Sequence, residues 1–337
     1  MFIRLIIGIV FFLSSLFSIS SSADEPVPLK MCAFTLLGES GPDFELVKDY
    51  QLAALSWGAE LDVKAYISEK VIVNELKSGA CDIASMTGGS AHSFNRFSGT
   101  IGAIGAIPDY EHLHVALAAL NGEKARPYLS ANGFDVVGIQ PSGGIYLFLN
   151  DRYLKGIADL AGRRVGVLDN FPEMHKMVTN MGMTPVSSTV SNMFQKFNNG
   201  NIDIVGGPAI VYEVMELYKG LKDTGGVIEA PIMQSTIQVI ARSDKLPAGF
   251  AEKSRQYFFD QFSESVDILS KAEKTIPRKY WIPVPKCNME ELEKTNKTVR
   301  LNFREKGIYH PKMLTLLRKV RCNLDPSRAE CTSPDAE

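Results

Sequence analysis

This 337-residue chain carries little of what marks a catalyst, a metal protein or a nucleic-acid binder. It has no G-x-S-x-G segment, so a serine nucleophile elbow is excluded. Ser90-Ala91-His92 brings a serine close to a histidine but offers no carboxylate to orient the ring. There are five histidines, and the one close pair, His112 and His114, is spaced i, i+2. On a helix such residues do not face one another. No C-x-x-C is present, so no zinc pattern exists, and neither a metal nor a cofactor is expected. Lysine plus arginine total 36 against 38 acidic residues, a net charge of −2. Nucleic acid calls for a basic face, so it is not an expected partner. Beyond the N-terminal segment no stretch is long and apolar enough to cross a bilayer, and no low-complexity linker divides the chain.

What is there begins with a leader. Arg4 supplies a short positive region, Leu5 to Ile19 an apolar run, and Ser21-Ser22-Ala23 a small-residue cleavage site. The apolar run is roughly 15 residues and interrupted by serines, below the roughly 20 that span a membrane. Residues 1–23 therefore read as a cleaved signal peptide, which leaves no membrane span afterwards. No cysteine stands at the cleavage point, which argues against a lipid anchor. Export places Cys32, Cys81, Cys287, Cys322 and Cys331 in an oxidising compartment, and an odd count leaves one without an intrachain partner.

The remainder is long enough for two domains and alternates strands with helices. Strand LKMCAFTLLG, an amphipathic helix from Asp43 to Trp57, strand LDVKAY, a helix from Glu69 to Lys77 and strand ACDIASMTGG follow in turn. The stretch Ile157–Tyr212 repeats that order. In it VGVL ends in Asp169-Asn170-Phe171-Pro172, and Val190, Met193, Phe194 and Phe197 fall on one helical face. The phrases ELKSGACDIASMTG and KFNNGNIDIVGGP echo each other as helix, glycine stop, strand and glycine-rich exit. Such alternation predicts doubly wound, mainly parallel sheets. Cys32 and Cys81 would then open adjacent parallel strands, so Cys32–Cys81 is the expected disulfide. A second bridge would join Cys287 to Cys322 or Cys331.

Phe134–Gln140 and Ile145–Leu149 read as strands flanking Pro141-Ser142-Gly143-Gly144, and Thr236–Ala241 as a returning strand. These predict crossings between a first lobe of residues 24–148 plus 242–337 and a second lobe of residues 149–241. Ala248–Ser270 reads as one long helix, further helices fall near Met289–Arg304 and Pro311–Arg321, and the polar tail from Asp325 is expected to be loosely ordered.

Ligands of open parallel sheets bind at the carboxyl ends of strands. The candidates are therefore Glu39, Ser40, Thr87, Ser90 and His92 in the first lobe, and Asp169, Asn170, Gly207 and Tyr212 in the second. Gly88-Gly89 and Gly206-Gly207 would let backbone N–H groups approach a ligand. Arg152 and Arg164 are the candidates for a bidentate clamp on an anion, with Arg152 the better placed.

The order DLxGxRVxV…TPV…F…G-x-ID…GP resembles the second domain of the periplasmic solute-binding proteins of TRAP-type transporters, in a divergent, AdeT-like branch. The resemblance extends over the whole mature chain. It implies a two-lobed periplasmic-binding-protein fold, type II-like, with hinge strands between the lobes. It implies a small polar or anionic solute held between them and handed to membrane permease subunits. The alternatives are a periplasmic ligand-sensing or efflux-associated accessory protein, or an enzyme on the same fold. One departure stands out. The family places an arginine that clamps a substrate carboxylate where this chain has Gly166.

Overall fold

In the computed structural model the described residues are 25–41, 43–154, 157–169, 171–332 and 337. Residues 1–23, expected to be a leader, and the candidate Asn170 lie outside them. The strands are β1 (Val27–Phe34), β2 (Ala59–Tyr66), β3 (Ile83–Thr87), β4 (Ser130–Ala131), β5 (Phe134–Leu149), β6 (Arg164–Leu168), β7 (Thr184–Ser188), β8 (Ile204–Pro208), β9 (Gly226–Ile228), β10 (Met233–Arg242) and β11 (Trp281–Ile282). One sheet runs in the order β2-β1-β3-β10-β5-β8-β6-β7. Two parallel trios, β2-β1-β3 and β8-β6-β7, stand at its ends. Between them β10 and β5 lie antiparallel to each other and to the trio strand each adjoins. In each trio the first strand in sequence is central and the third adjoins a crossing strand.

The alternation of side chains along a strand explains how one lobe holds two cores. On β1, Leu29, Met31 and Ala33 face a cluster with Tyr50, Ala54, Phe250 and Phe258. Cys32 and Phe34 point the other way, into a larger cluster with Ile72, Leu76, Met86 and Leu113. Helix Asp43–Leu55 covers the first face and helix Glu69–Ser78 the second. A parallel sheet buried on both sides is the usual solution for such apolar strands. The second lobe closes around Phe148, Phe194, Phe197, Val205 and Leu221. Its helix Val190–Asn198 starts at a reciprocal cap: Thr189 Oγ1 accepts from the Asn192 amide, and Asn192 Oδ1 accepts from the Thr189 amide.

The predicted Cys32–Cys81 bridge is present, with 6.0 Å between Cα atoms. Cys32 sits within β1 rather than at its start, and Cys81 lies in the turn before β3. Four expectations are corrected. Phe134–Leu149 is a single 16-residue strand rather than two flanking a turn. The register slips at Ser142, which has no partner between Pro141↔Thr236 and Gly143↔Ser235. The bulge accommodates a proline that cannot donate to the ladder. The long helix is divided at Gln261 into Phe250–Asp260 and Phe262–Thr275. The sequence places residues 276–282 with the first lobe, but Ile276 and Tyr280 are buried in the core of the second, and β11 pairs with β9.

The fourth correction is the tail. It is pinned by Cys322–Cys331 rather than by a bridge to Cys287, because a short turn after helix Pro311–Leu324 brings those two sulfurs together. Arg321, fully buried, donates to both carboxylate oxygens of Glu330 at 2.7 Å, to Glu337 Oε2 at 2.7 Å and to the Ala106 carbonyl at 2.7 Å. Arg300 donates to Glu337 Oε1 at 2.6 Å and to the Ile104 carbonyl at 2.9 Å.

Candidate functional site

A cavity of about 620 Å³ opens between the two trios. It is built from strand exits, as the fold demands. From the first lobe come Ile67, Ser68, Glu69, Lys70, Val73 and Asn74, which follow β2, and Gly89, Ser90, His92 and Ser93, which follow β3. From the second come Leu168, Asp169, Phe171, Pro172 and Glu173, at and after the end of β6, and Thr189 and Val190, after β7. Ile308, from the C-terminal region, completes the wall.

Among the sequence candidates, Ser90, His92 and Asp169 are brought together here. Thr87 stands one step behind, where its amide donates to Glu69 Oε1 at 2.6 Å. The other described candidates lie elsewhere, for identifiable reasons. Glu39 and Ser40 sit on an exposed 3-10 turn after β1. Gly207 is needed for packing, since a Cβ there would stand 2.9 Å from Phe194 and 3.0 Å from Val211. Tyr212 is buried in the second core between Tyr218 and Tyr280, and burial raises its pKa to about 12.

The arginines are likewise engaged away from the cavity. Arg152 donates to the Lys279 carbonyl at 2.7 Å, and Arg163 pairs with Asp151 at 3.3 Å. Arg164 holds Asp203 in a fork, through Nε at 3.0 Å and Nη2 at 2.6 Å. Although Asp203 is largely buried, hydrogen bonds from the Arg164 side chain and amide and from Asn150 lower its pKa to about 2. At Gly166 an added Cβ would meet Met193 Cγ at 3.0 Å and Ile202 Cδ1 at 3.1 Å. The space that a side chain at position 166 would need is thus filled by this chain's own Met193 and Ile202.

Sequence reasoning missed the exits of β2 and β7. The same strand-exit rule reaches them once it is applied to every strand. Glu69 is the most consequential omission. It is 7% exposed and begins a helix at the cavity wall. Burial raises its pKa, opposed by hydrogen bonds from Thr87 and Ser90. His92 also lines the wall. Burial lowers its pKa, and its ring lies 2.7 Å from the Ile308 carbonyl, which a neutral imidazole satisfies by carrying its proton on Nε2.

Among the described residues no helix is long and apolar enough to cross a membrane, and no group of three or more His, Cys, Asp or Glu is placed to hold a metal ion. The structure superposes on TRAP periplasmic solute-binding proteins. One from Ralstonia eutropha, with bound (S)-2-acetolactate, has a TM-score of 0.70 at 15% identity, covering 88% of this chain and 99% of that one. One from Desulfovibrio salexigens, with bound orotic acid, has a TM-score of 0.68 at 12% identity, with the same coverage. The chain is 37% identical over 302 residues to probable solute-binding protein AdeT1 of Acinetobacter baumannii, covering 90% of this chain and 99% of that protein. To AdeT2 of the same organism it is 28% identical over 236 residues, covering 69% and 98%. The family model described as solute-binding protein AdeT 1/2 matches residues 39–336, and the chain belongs to that family.

Proposed function

We propose that this protein is exported, captures a small polar solute between its lobes and delivers it to a membrane permease of the TRAP type. The observation that carries the reading is the cavity walled by strand exits of both lobes. A solute touching both walls favours the closed arrangement, so binding and hinge closure are one equilibrium. The pattern of residues 1–23 and the two disulfides fit export into an oxidising compartment. In this reading the first lobe comprises residues 24–148 and most of 242–337, and the second residues 149–241. Binding, not turnover, is the chain's task.

The test is thermal unfolding of the chain from residue 24, refolded to remove bound solute, against a broad library of acids, sugars, amino acids and amines. A ligand that binds only the folded state raises Tm by mass action. A stabilising solute that is recovered chemically unchanged supports the proposal. A folded sample that no solute stabilises overturns it. Export is tested separately by fusing residues 1–23 to a phosphatase that is active only outside the cytoplasm.

A further inference from the structure

We infer that the solute held in this cleft carries positive charge, as an organic amine does. The inference rests on the solute-binding reading above and concerns the charge of the ligand. Among the described residues three carboxylates line the cavity, Glu69, Asp169 and Glu173, against one ammonium, that of Lys70. Lys70 is exposed. His92 does not restore the balance, because its burial favours the neutral ring. Glu173 already has a cation, Lys176 at 3.2 Å, and Asp169 is open to solvent.

Glu69 decides the matter. More than nine-tenths buried, it receives hydrogen bonds from neutral groups of Thr87 and Ser90. Among the described residues no cation pairs with it. A buried carboxylate without a cation is costly, and this one stands in the wall of an open cavity, where a cationic guest would offset that cost. A second observation, independent of the carboxylates, points the same way. A carboxylate guest is held best by an arginine fork, and among the described residues no arginine lines the cavity. Arg152, Arg163 and Arg164 are engaged elsewhere, and Met193 occupies the space that a side chain at Gly166 would need.

The experiment compares putrescine and spermidine with succinate, galacturonate and glucose, by thermal shift and calorimetry on the refolded chain from residue 24. Both amines are expected to raise Tm, with no response to the two acids. Glu69→Gln, which keeps an acceptor for the Thr87 amide, and Asp169→Asn, at an exposed position, are each expected to weaken amine binding about tenfold. The second variant keeps the test open if the first fails to fold. Binding of either acid or of glucose without the amines overturns the charge assignment and leaves the solute-binding reading standing. Amine binding unchanged in both variants overturns the roles given to these carboxylates. No response to these probes or to the wider library overturns both readings together.

Discussion

The first lobe contains two regions built from the same parts, a disulfide and a buried glutamate. In one region they are Cys32–Cys81, buried in the core, and Glu69, at the cleft wall; in the other, at the C-terminal end, Cys322–Cys331 and Glu330. The glutamates are similarly buried, at 7% and 9% exposure. Their pKa values nevertheless move in opposite directions. Burial raises that of Glu69, whose donors among the described residues, Thr87 and Ser90, are neutral. Glu330 is also desolvated, but the Arg321 fork and Arg328 outweigh the burial and lower its pKa to about 2. Burial does not set the state of a carboxylate; what faces it does. One glutamate is held by cations of its own chain; among the described residues the other faces none.

The comparison can be broken most directly at Arg321. Arg321→Met leaves Glu330 and Glu337 buried with less to pair with, and should lower stability by about 3–5 kcal/mol in denaturant unfolding. A loss below about 1 kcal/mol would show that the tail cluster is not the closed network described. Removing the disulfides comes next. Cys32 and Cys81 are 49 residues apart, Cys322 and Cys331 only 9. The entropy of loop closure therefore predicts losses of about 4 and about 2.5 kcal/mol respectively, for double serine variants. The reverse order in chemical denaturation would mean that native packing, not chain entropy, governs the two bridges.

Acid titration sharpens the contrast by sign. Glu330 has a folded pKa of about 2, below its unfolded value of about 4.3. Its contribution is complete above the unfolded value and is lost as pH falls toward the folded one. The Tm deficit of Glu330→Gln should therefore shrink as pH drops through that window. Glu69 has a raised folded pKa, so the ligand-free protein binds its proton more tightly than the unfolded chain does. Stability should fall as pH rises through the ordinary carboxylate range, and Glu69→Gln should gain on the parent above about pH 4. Parallel pH profiles for the two variants would dissolve the distinction. The smallest effect expected is that of Gly166→Ala. Its Cβ presses on Met193 and Ile202, and overpacking of this kind costs about 1 kcal/mol. In a Met193→Ala background, where that space is vacated, the added methyl should cost nothing further, and an undiminished penalty would separate Met193 from the closure of that position.

Much of this could be read in the sequence wherever a local pattern decides the structure. The helix Val190–Asn198 shows its apolar face at helical spacing, and its start and stop are marked by Thr189 and by Asn199-Gly200. The parallel trios follow from such units, and with them the placing of Ser90 and Asp169 at strand exits. What could not be read depends on distant partners. Pro141 and two glycines look like a turn, yet β10 on one side and β8 on the other keep Phe134–Leu149 extended, with a bulge at Ser142. The tail looks polar and loose until Arg300 and Arg321 are brought to it from helices packed beside it. Arg152 looks free until Lys279 arrives from more than a hundred residues away. Glu69 looks like an ordinary first-turn glutamate until β3 brings Thr87 over it.

The segment that leaves the first lobe at Thr275 and returns by Lys286 gives the molecule a third tie between its halves, besides β5 and β10. Just before it, Glu273 Oε1 accepts from the hydroxyls of Tyr110 at 2.9 Å and Tyr146 at 3.0 Å, one on a first-lobe helix and the other on β5. Such a tie acts as the stay on a box lid. Two strands alone would leave the lid free to swing, whereas a stay fixes how far the mouth gapes at rest. Under the proposed hinge closure, the width of the entrance, and so the bulk of what can enter, is governed from the back of the molecule by residues outside the cavity wall.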